Sequence, residues 1–264
     1  STRATPTSQS VLDLVAGQAT LLASGPDGTD AIAAVGTRLA EADALLRGVP
    51  GLRLLLAESS LGLALVHHCG ELLAAVEQEE QRLEQDGSLS TKQLEARNQA
   101  LIAVRDGVWA ITRDRLRAAE VVSDLSGGAM HTGSVEAFLS VHQALSAIDR
   151  LEVRGRDSAG LHVLVHDHAL DLDDPVIAAE IDRRSGDLNF GTGSVRVVDG
   201  VLSIVHKTAA EIGELGDNTA VIRKAFADDA LLHAALANET ARTLVLGHTR
   251  WASIGIISLS LIHI

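Results

Sequence analysis

The residues best placed to do chemistry lie in the run Leu244-Val245-Leu246-Gly247-His248-Thr249-Arg250-Trp251-Ala252-Ser253. Three apolar residues read as a buried strand, and the glycine, histidine, arginine and tryptophan after them fall where a sheet protein presents ligand-facing groups. An arginine held at a strand end can fork two N–H groups onto a carboxylate in a fixed plane, and an adjacent indole can exclude water. The chemistry to expect is recognition of a small acid. A salt-bridged arginine beside a core tryptophan would look the same at this level, and these residues alone leave both readings open.

Other clusters offer less. His162, His166 and His168 alternate onto one face of a predicted strand and its exit, but no carboxylate or cysteine is placed to complete a metal shell. His67-His68-Cys69 fares no better, because adjacent helical residues point about 100° apart. Gly191-Thr192-Gly193 lacks the further glycine, the lysine and the helix of a nucleotide loop. Asp171, Asp173 and Asp174 lack the glycine and distal glutamate of a calcium loop. No metal site is expected.

Composition narrows the classes. With 264 residues and 46% apolar side chains the chain can fill one large or two ordinary cores. Its 22 Lys plus Arg against 35 Asp plus Glu give a formal net charge of −13, without a basic block, so nucleic acid is not an expected partner. No apolar run of bilayer length and no signal peptide stand out, which predicts a cytoplasmic protein without membrane contact. The single cysteine, Cys69, excludes an intrachain disulfide and multi-cysteine metal sites.

Stepping along the chain, leucine and alanine without strand alternation predict a helix over 11–24. A three-four spacing of Ile32, Val35, Leu39, Ala42 and Leu45 predicts a second helix, stopped by Gly48-Val49-Pro50-Gly51. Residues 52–63 are ambiguous, and 64–84 form an amphipathic helix with Glu77, Glu79 and Glu80 opposite its apolar face. Asp86-Gly87 ends it. Ser90 and Gln93 form a capping box for a long helix carrying Leu101, Val104, Val108, Ile111, Ala118, Val122 and Leu125, and the two long helices make an antiparallel hairpin. Arg115 interrupts that stripe.

After the glycine-rich linker 126–133 the texture changes. Ser134 caps a helix facing inward with Phe138, Val141, Leu145 and Ile148, and Arg154-Gly155-Arg156-Asp157-Ser158-Ala159-Gly160 leads into a strand over 161–165. A helix capped near Asp174 follows, then a hairpin over 193–205 turning at Asp199-Gly200, a helix from Asn218 to about Leu236, and a strand over 243–246.

Taken together, Leu151-Glu152-Val153-Arg154-Gly155-Arg156-Asp157-Ser158-Ala159-Gly160 and Gly247-His248-Thr249-Arg250-Trp251-Ala252 resemble the glutaminase domain of class II glutamine amidotransferases. The His-Thr-Arg-Trp-Ala form points to the branch that aminates fructose 6-phosphate to glucosamine 6-phosphate, and the resemblance covers residues 134–258. It implies an α+β chain with a partial four-layer αββα N-terminal-nucleophile fold, in which residues 1–133 are a large all-α insertion. It implies that glutamine is the substrate, that no cofactor is needed, and that a sugar-phosphate isomerase-type domain of a homodimeric full-length enzyme takes up the ammonia. In that class a mature N-terminal cysteine attacks the amide carbon, with its own α-amino group as base. Matched by position, Arg250 binds the substrate carboxylate, Trp251 lines the pocket, Ser253 adds a hydrogen bond and His248 stands beside them. Arg154 supports the nucleophile, and Asp157 fixes a turn.

The sequence departs from the family at several points. It begins Ser1-Thr2-Arg3 where the family has Cys-Gly-Ile, and Cys69-Gly70 imitates that dipeptide inside a predicted helix. Ile254 replaces a histidine of the common form. Leu259-Ser260-Leu261-Ile262-His263-Ile264 is what a transposase adapter encodes in one frame, so residues 259–264 are expected to be a non-native tail. The expectation is a fragment truncated at both ends and itself inactive. Two other readings are an amidophosphoribosyltransferase-like glutaminase and a non-catalytic helical interaction module on a degenerate glutaminase scaffold.

Overall fold

In the computed structural model, which describes residues 5–24, 28–151, 157–186, 191–209 and 214–250, local chemistry sets the ends of the first helices. Thr7 and Ser10 form a reciprocal capping box at the head of α1 (Ser8–Val15). Gly17, at φ 75°, separates α1 from α2 (Gln18–Ala23), so the single helix expected over 11–24 is two. α3 (Thr29–Leu46) buries Ile32, Val35, Leu39, Ala42 and Leu46. Arg47 is extended and the chain re-enters a helix at once, α4 (Gly48–Ala57). Gly48-Val49-Pro50-Gly51, read as a stop, is the first turn of α4, where the missing N–H of proline removes no helical hydrogen bond.

α5 (Ser59–Gln85) buries Leu61, Leu65, Cys69, Leu72 and Val76, and Glu79 is buried with them instead of facing water as expected. By length and hydropathy α5 could cross a bilayer, which corrects the expectation that no segment has that reach. Ser90 and Gln93 make the anticipated capping box at the head of α6 (Thr91–Trp109). Arg105 ties α6 to Glu80 of α5 at 2.7 Å, and Arg97 reaches Glu79 at 3.7 Å. α6 runs through a π-helical turn, Ala110–Leu116, into α7 (Arg117–Ser126). The wider turn shifts the phase of the stripe, and the buried residue after Ile111 is Ala119 rather than Ala118.

The chain divides into two compact units, Ser1–Glu120 and Val121–Ile264, where the change of texture in the sequence falls at 133/134. In the second unit α8 (Thr132–Leu151) starts two residues before Ser134, whose hydroxyl donates to the Leu236 carbonyl at 3.0 Å instead of capping. β1 (Ser158–His166) is followed by α9 (Pro175–Ser185), capped by the Asp174 carboxylate. β2 (Ser194–Val198) and β3 (Val201–Thr208) form a hairpin turning at Asp199 and Gly200, both at positive φ as a two-residue turn requires. The helix expected from Asn218 to Leu236 is two, α10 (Asp217–Ala227) and α11 (Ala230–Ala235), because Asp229 interrupts it and caps the second. Asn218 lies buried inside α10, whose N-cap is Gly216.

β4 (Arg242–Arg250) completes an antiparallel sheet in the order β2-β3-β1-β4. Side chains alternate between its faces. Ala159, Leu161, Val163 and Val165 join Leu202 and Ile204 on an inner face packed by α8 and α10. The outer face carries Leu244, 51% exposed, Leu246, 45% exposed, and Val198, 61% exposed. The architecture is therefore α+β, a helical unit and a unit of helices on an antiparallel sheet.

Candidate functional site

Strand register brings the two sequence motifs side by side. Ser158 lies opposite Arg250 and Gly160 opposite His248, while on the other side of β1 Gly160 lies opposite Lys207. Residues opposite one another in an antiparallel pair share a face. Arg250, His248 and Lys207 thus gather on the outer face around Gly160, which places no side chain among them. The N–H of Asp157 donates to the Arg250 carbonyl at 3.1 Å, and the Thr249 hydroxyl donates to the Ser158 carbonyl at 3.4 Å. β4 runs through the motif, so Gly247, His248 and Arg250 are strand residues and not the loop that a strand over 243–246 implies. The glycine has a packing reason, since a Cβ at position 247 would meet Leu161 Cδ1 at 2.9 Å and Ile148 Cδ1 at 3.0 Å.

Among the described residues, the charges that shift the two histidines of this rim are positive. Burial lowers the His248 pKa below the ordinary imidazole value, and the charges of Lys207 and Arg250 push it the same way. His162, two residues along β1 from Gly160, is lowered by burial and then by Lys207. His162 Nε2 meets the Ser203 hydroxyl at 2.6 Å. Lys207 is buried, and the Nδ1 of His248 is buried without a hydrogen-bond partner among the described residues. Among the described residues no carboxylate lies within ion-pair distance of the half-exposed Arg250. Such a rim can take an anion, with the guanidinium as its fork. Lys207 escaped notice in the sequence, although a lysine continuing an alternating strand was the available signal. Arg154, Trp251 and Ser253 lie outside the described residues.

A second polar cluster borders a cavity of about 1140 Å³ in the same unit. Arg184 forks onto Asp229 at 2.9 and 2.6 Å, and His206 Nε2 meets the same carboxylate at 2.9 Å. The Asp229 carboxylate also accepts the Leu232 N–H at 3.2 Å. Burial pushes this carboxyl up, but the hydrogen bonds from Arg184 and His206 outweigh it and hold Asp229 below the usual carboxylate range. Thr192 lies 3.4 Å from His206 Nδ1, and its hydroxyl accepts the Lys207 N–H at 3.1 Å. Gly191-Thr192-Gly193 thus ties its segment to β3 and to Arg184. Nothing in the spacing of Arg184, His206 and Asp229 announces this cluster.

In the helical unit Asp43, buried in α3, binds Arg47 and accepts from Arg115 Nε at 2.7 Å. Burial raises its pKa, and the two arginines outweigh that and lower it. Arg115 interrupts the apolar stripe because it turns inward to this acid. Cys69 borders a groove of about 700 Å³ with Trp109 and Arg113, and burial pushes its thiol up to about 11. The aspartates set aside as calcium ligands have local roles, Asp174 capping α9 and Asp171 accepting the Asp173 N–H at 3.0 Å.

No family model, no curated protein and no solved structure matches this chain.

Proposed function

We propose that residues 134–258 carry the substrate-binding part of a class II glutaminase, with the rim of β1 and β4 as the seat of the glutamine carboxylate. The observation that supports this best is the register that sets Ser158 against Arg250 and Gly160 against His248, since it unites the two motifs that carry the family resemblance. Arg250 forks the α-carboxylate, and the positive field that keeps His248 toward neutral favours an anion at that point. Trp251, Ser253 and Arg154 take the roles of pocket wall, hydrogen-bond partner and support of the nucleophile.

The reaction of the class adds a cysteine thiol to the glutamine amide carbon and expels ammonia, and water then releases glutamate. Cys69 does not serve as that thiol. It is buried in α5, its proton is held to about pH 11, and as an internal residue it has no α-amino group to act as base. The four-layer αββα arrangement belongs to the same proposal. Its support is the outer sheet face, where Leu244, Leu246 and Val198 present apolar surface opposite the face that α8 and α10 cover. On this reading the ammonia passes to a sugar-phosphate isomerase-type domain, making glucosamine 6-phosphate in a cytoplasmic homodimer.

Calorimetric titration of the chain with L-glutamine tests the binding role. Arg250→Ala removes a charge-assisted fork worth about 1.5–3 kcal/mol, so affinity is expected to fall on the order of ten- to a hundredfold. Arg242→Ala, at the opposite end of β4, is expected to bind as the parent does. Equal affinity in the parent and Arg250→Ala, or no glutamine binding by the parent, would refute the assignment.

A further inference from the structure

We infer that α5 carries a surface site for a divalent transition-metal ion of the zinc type, formed by His67, His68 and Glu71. Two adjacent helical histidines diverge by about 100° and cannot by themselves face one ion. Glu71 resolves this, because at the same angular step it projects about 40° past His67 and about 60° short of His68, between the two. Each carboxylate oxygen meets one imidazole, Oε1 at 3.5 Å from His67 Nε2 and Oε2 at 3.1 Å from His68 Nδ1. One ligand atom from each of the three residues lies within 4.8 Å of the others.

Those separations are near what an ion demands. Zinc bonds of about 2.0–2.1 Å in a tetrahedron put neighbouring ligand atoms about 3.3–3.4 Å apart. Small rotations would therefore bring both imidazoles and one carboxylate oxygen around a common centre. The helix holds the three Cα positions in place beforehand, which lowers the ordering cost of binding. Two imidazoles with one carboxylate select zinc, cobalt, nickel or copper over magnesium and calcium, which prefer all-oxygen shells. Among the described residues Glu71 pairs with no lysine or arginine that would compete with the ion. The side chains of His67 and Glu71 are 68% and 49% exposed, so water completes the shell.

Titration of the metal-free full chain with zinc chloride tests the site. One saturable equivalent is expected, with a rise in the thermal midpoint as zinc binds the folded state. Loss of an outer partner of a metal ligand typically costs 10–100-fold in affinity, so His67→Ala, which removes a ligand outright, and Glu71→Gln, which replaces an anionic ligand by a neutral amide, should each weaken binding more than about tenfold and abolish the thermal shift. These side chains are on the surface, and circular dichroism would confirm that the variants keep their helix content. His131→Ala, at a separate histidine 3.5 Å from Glu239, should bind as the parent does. If His67→Ala and Glu71→Gln retain parental affinity, if His131→Ala alone loses it, or if no saturable zinc binding occurs, the site does not exist.

Discussion

At the Asp229 network a buried carboxylate is faced by Arg184 and His206, whereas at the β1–β4 rim the charges acting on His248 are of one sign. The first arrangement satisfies its acid from within, and joins α9, β3 and the head of α11. To bind a ligand through Asp229, the protein would have to dismantle that tie. At the rim, Arg250 has no carboxylate in reach among the described residues, and His248 is driven toward its neutral form. Matched charge marks a structural joint here, and grouped like charge marks a place for an anion.

The comparison predicts a large stability loss at the joint. Asp229→Ala takes the bidentate partner from the Arg184 guanidinium, whose side chain is 10% exposed, and leaves it the Gly193 carbonyl at 2.6 Å and the Glu180 carboxylate at 3.7 Å; breaking such a buried pair costs about 3–5 kcal/mol. Urea denaturation should show the loss, and a cost under about 1 kcal/mol would end the claim that the tie is structural. The pH dependence has a definite sign. A carboxyl whose folded pKa lies below the ordinary aspartate value of about 3.9 binds fewer protons folded than unfolded. Its contribution is complete well above that value and is lost as pH falls below it toward the folded pKa. Asp229→Asn should flatten the acid limb of the stability profile, and an unchanged limb would contradict the assignment.

Asp43 in the helical unit grades the same rule. Its partners are more exposed, Arg47 at 62% and Arg115 at 21%, so water compensates more of the loss. Asp43→Ala should cost about 1–3 kcal/mol, less than Asp229→Ala, when the two are compared by denaturation under one set of conditions. The reverse order would break the link between burial of the partner and the worth of the pair.

These pairs also show what the sequence discloses. Arg115 interrupts an apolar helical stripe and so marks one end of a buried ion pair, but Asp43 falls between the apolar positions Ala42 and Leu45 without breaking their spacing, and its half of the pair is not legible. Arg184 and Asp229 sit 45 residues apart on no shared pattern, and only folding brings them to 2.6 Å. Capping chemistry was legible where local spacing carries it, as in the Ser90–Gln93 box and at Asp174 before Pro175. It was missed at Asp229, where a cap divides what periodicity joins into one helix. The hairpin at Asp199-Gly200 followed from its turn residues, but the pairing of β1 with both β3 and β4 depends on contacts that in the β4 case lie 76 to 92 residues apart along the chain, from His166 with Arg242 to Ser158 with Arg250. That pairing is what turned two separate motifs into one rim. The grouping on the outward face of α5 has a related origin, since the helical step sets Glu71 between His67 and His68 while the side chain of Cys69 is buried.

The smallest expected effect separates the two regions most cleanly. Arg250→Ala removes a guanidinium with no carboxylate partner among the described residues, so stability should change by no more than about 0.5 kcal/mol. The same change withdraws one of the positive charges that depress His248, so the His248 pKa should rise while burial and Lys207 continue to hold it down. Following the imidazole carbon protons by NMR through a pH titration reads that shift directly. A His248 titration identical in parent and variant would mean that Arg250 does not contribute to the field at the rim. A large loss of stability would mean that Arg250 is a joint like Arg184, and the rim would then belong with the structural network rather than with a ligand.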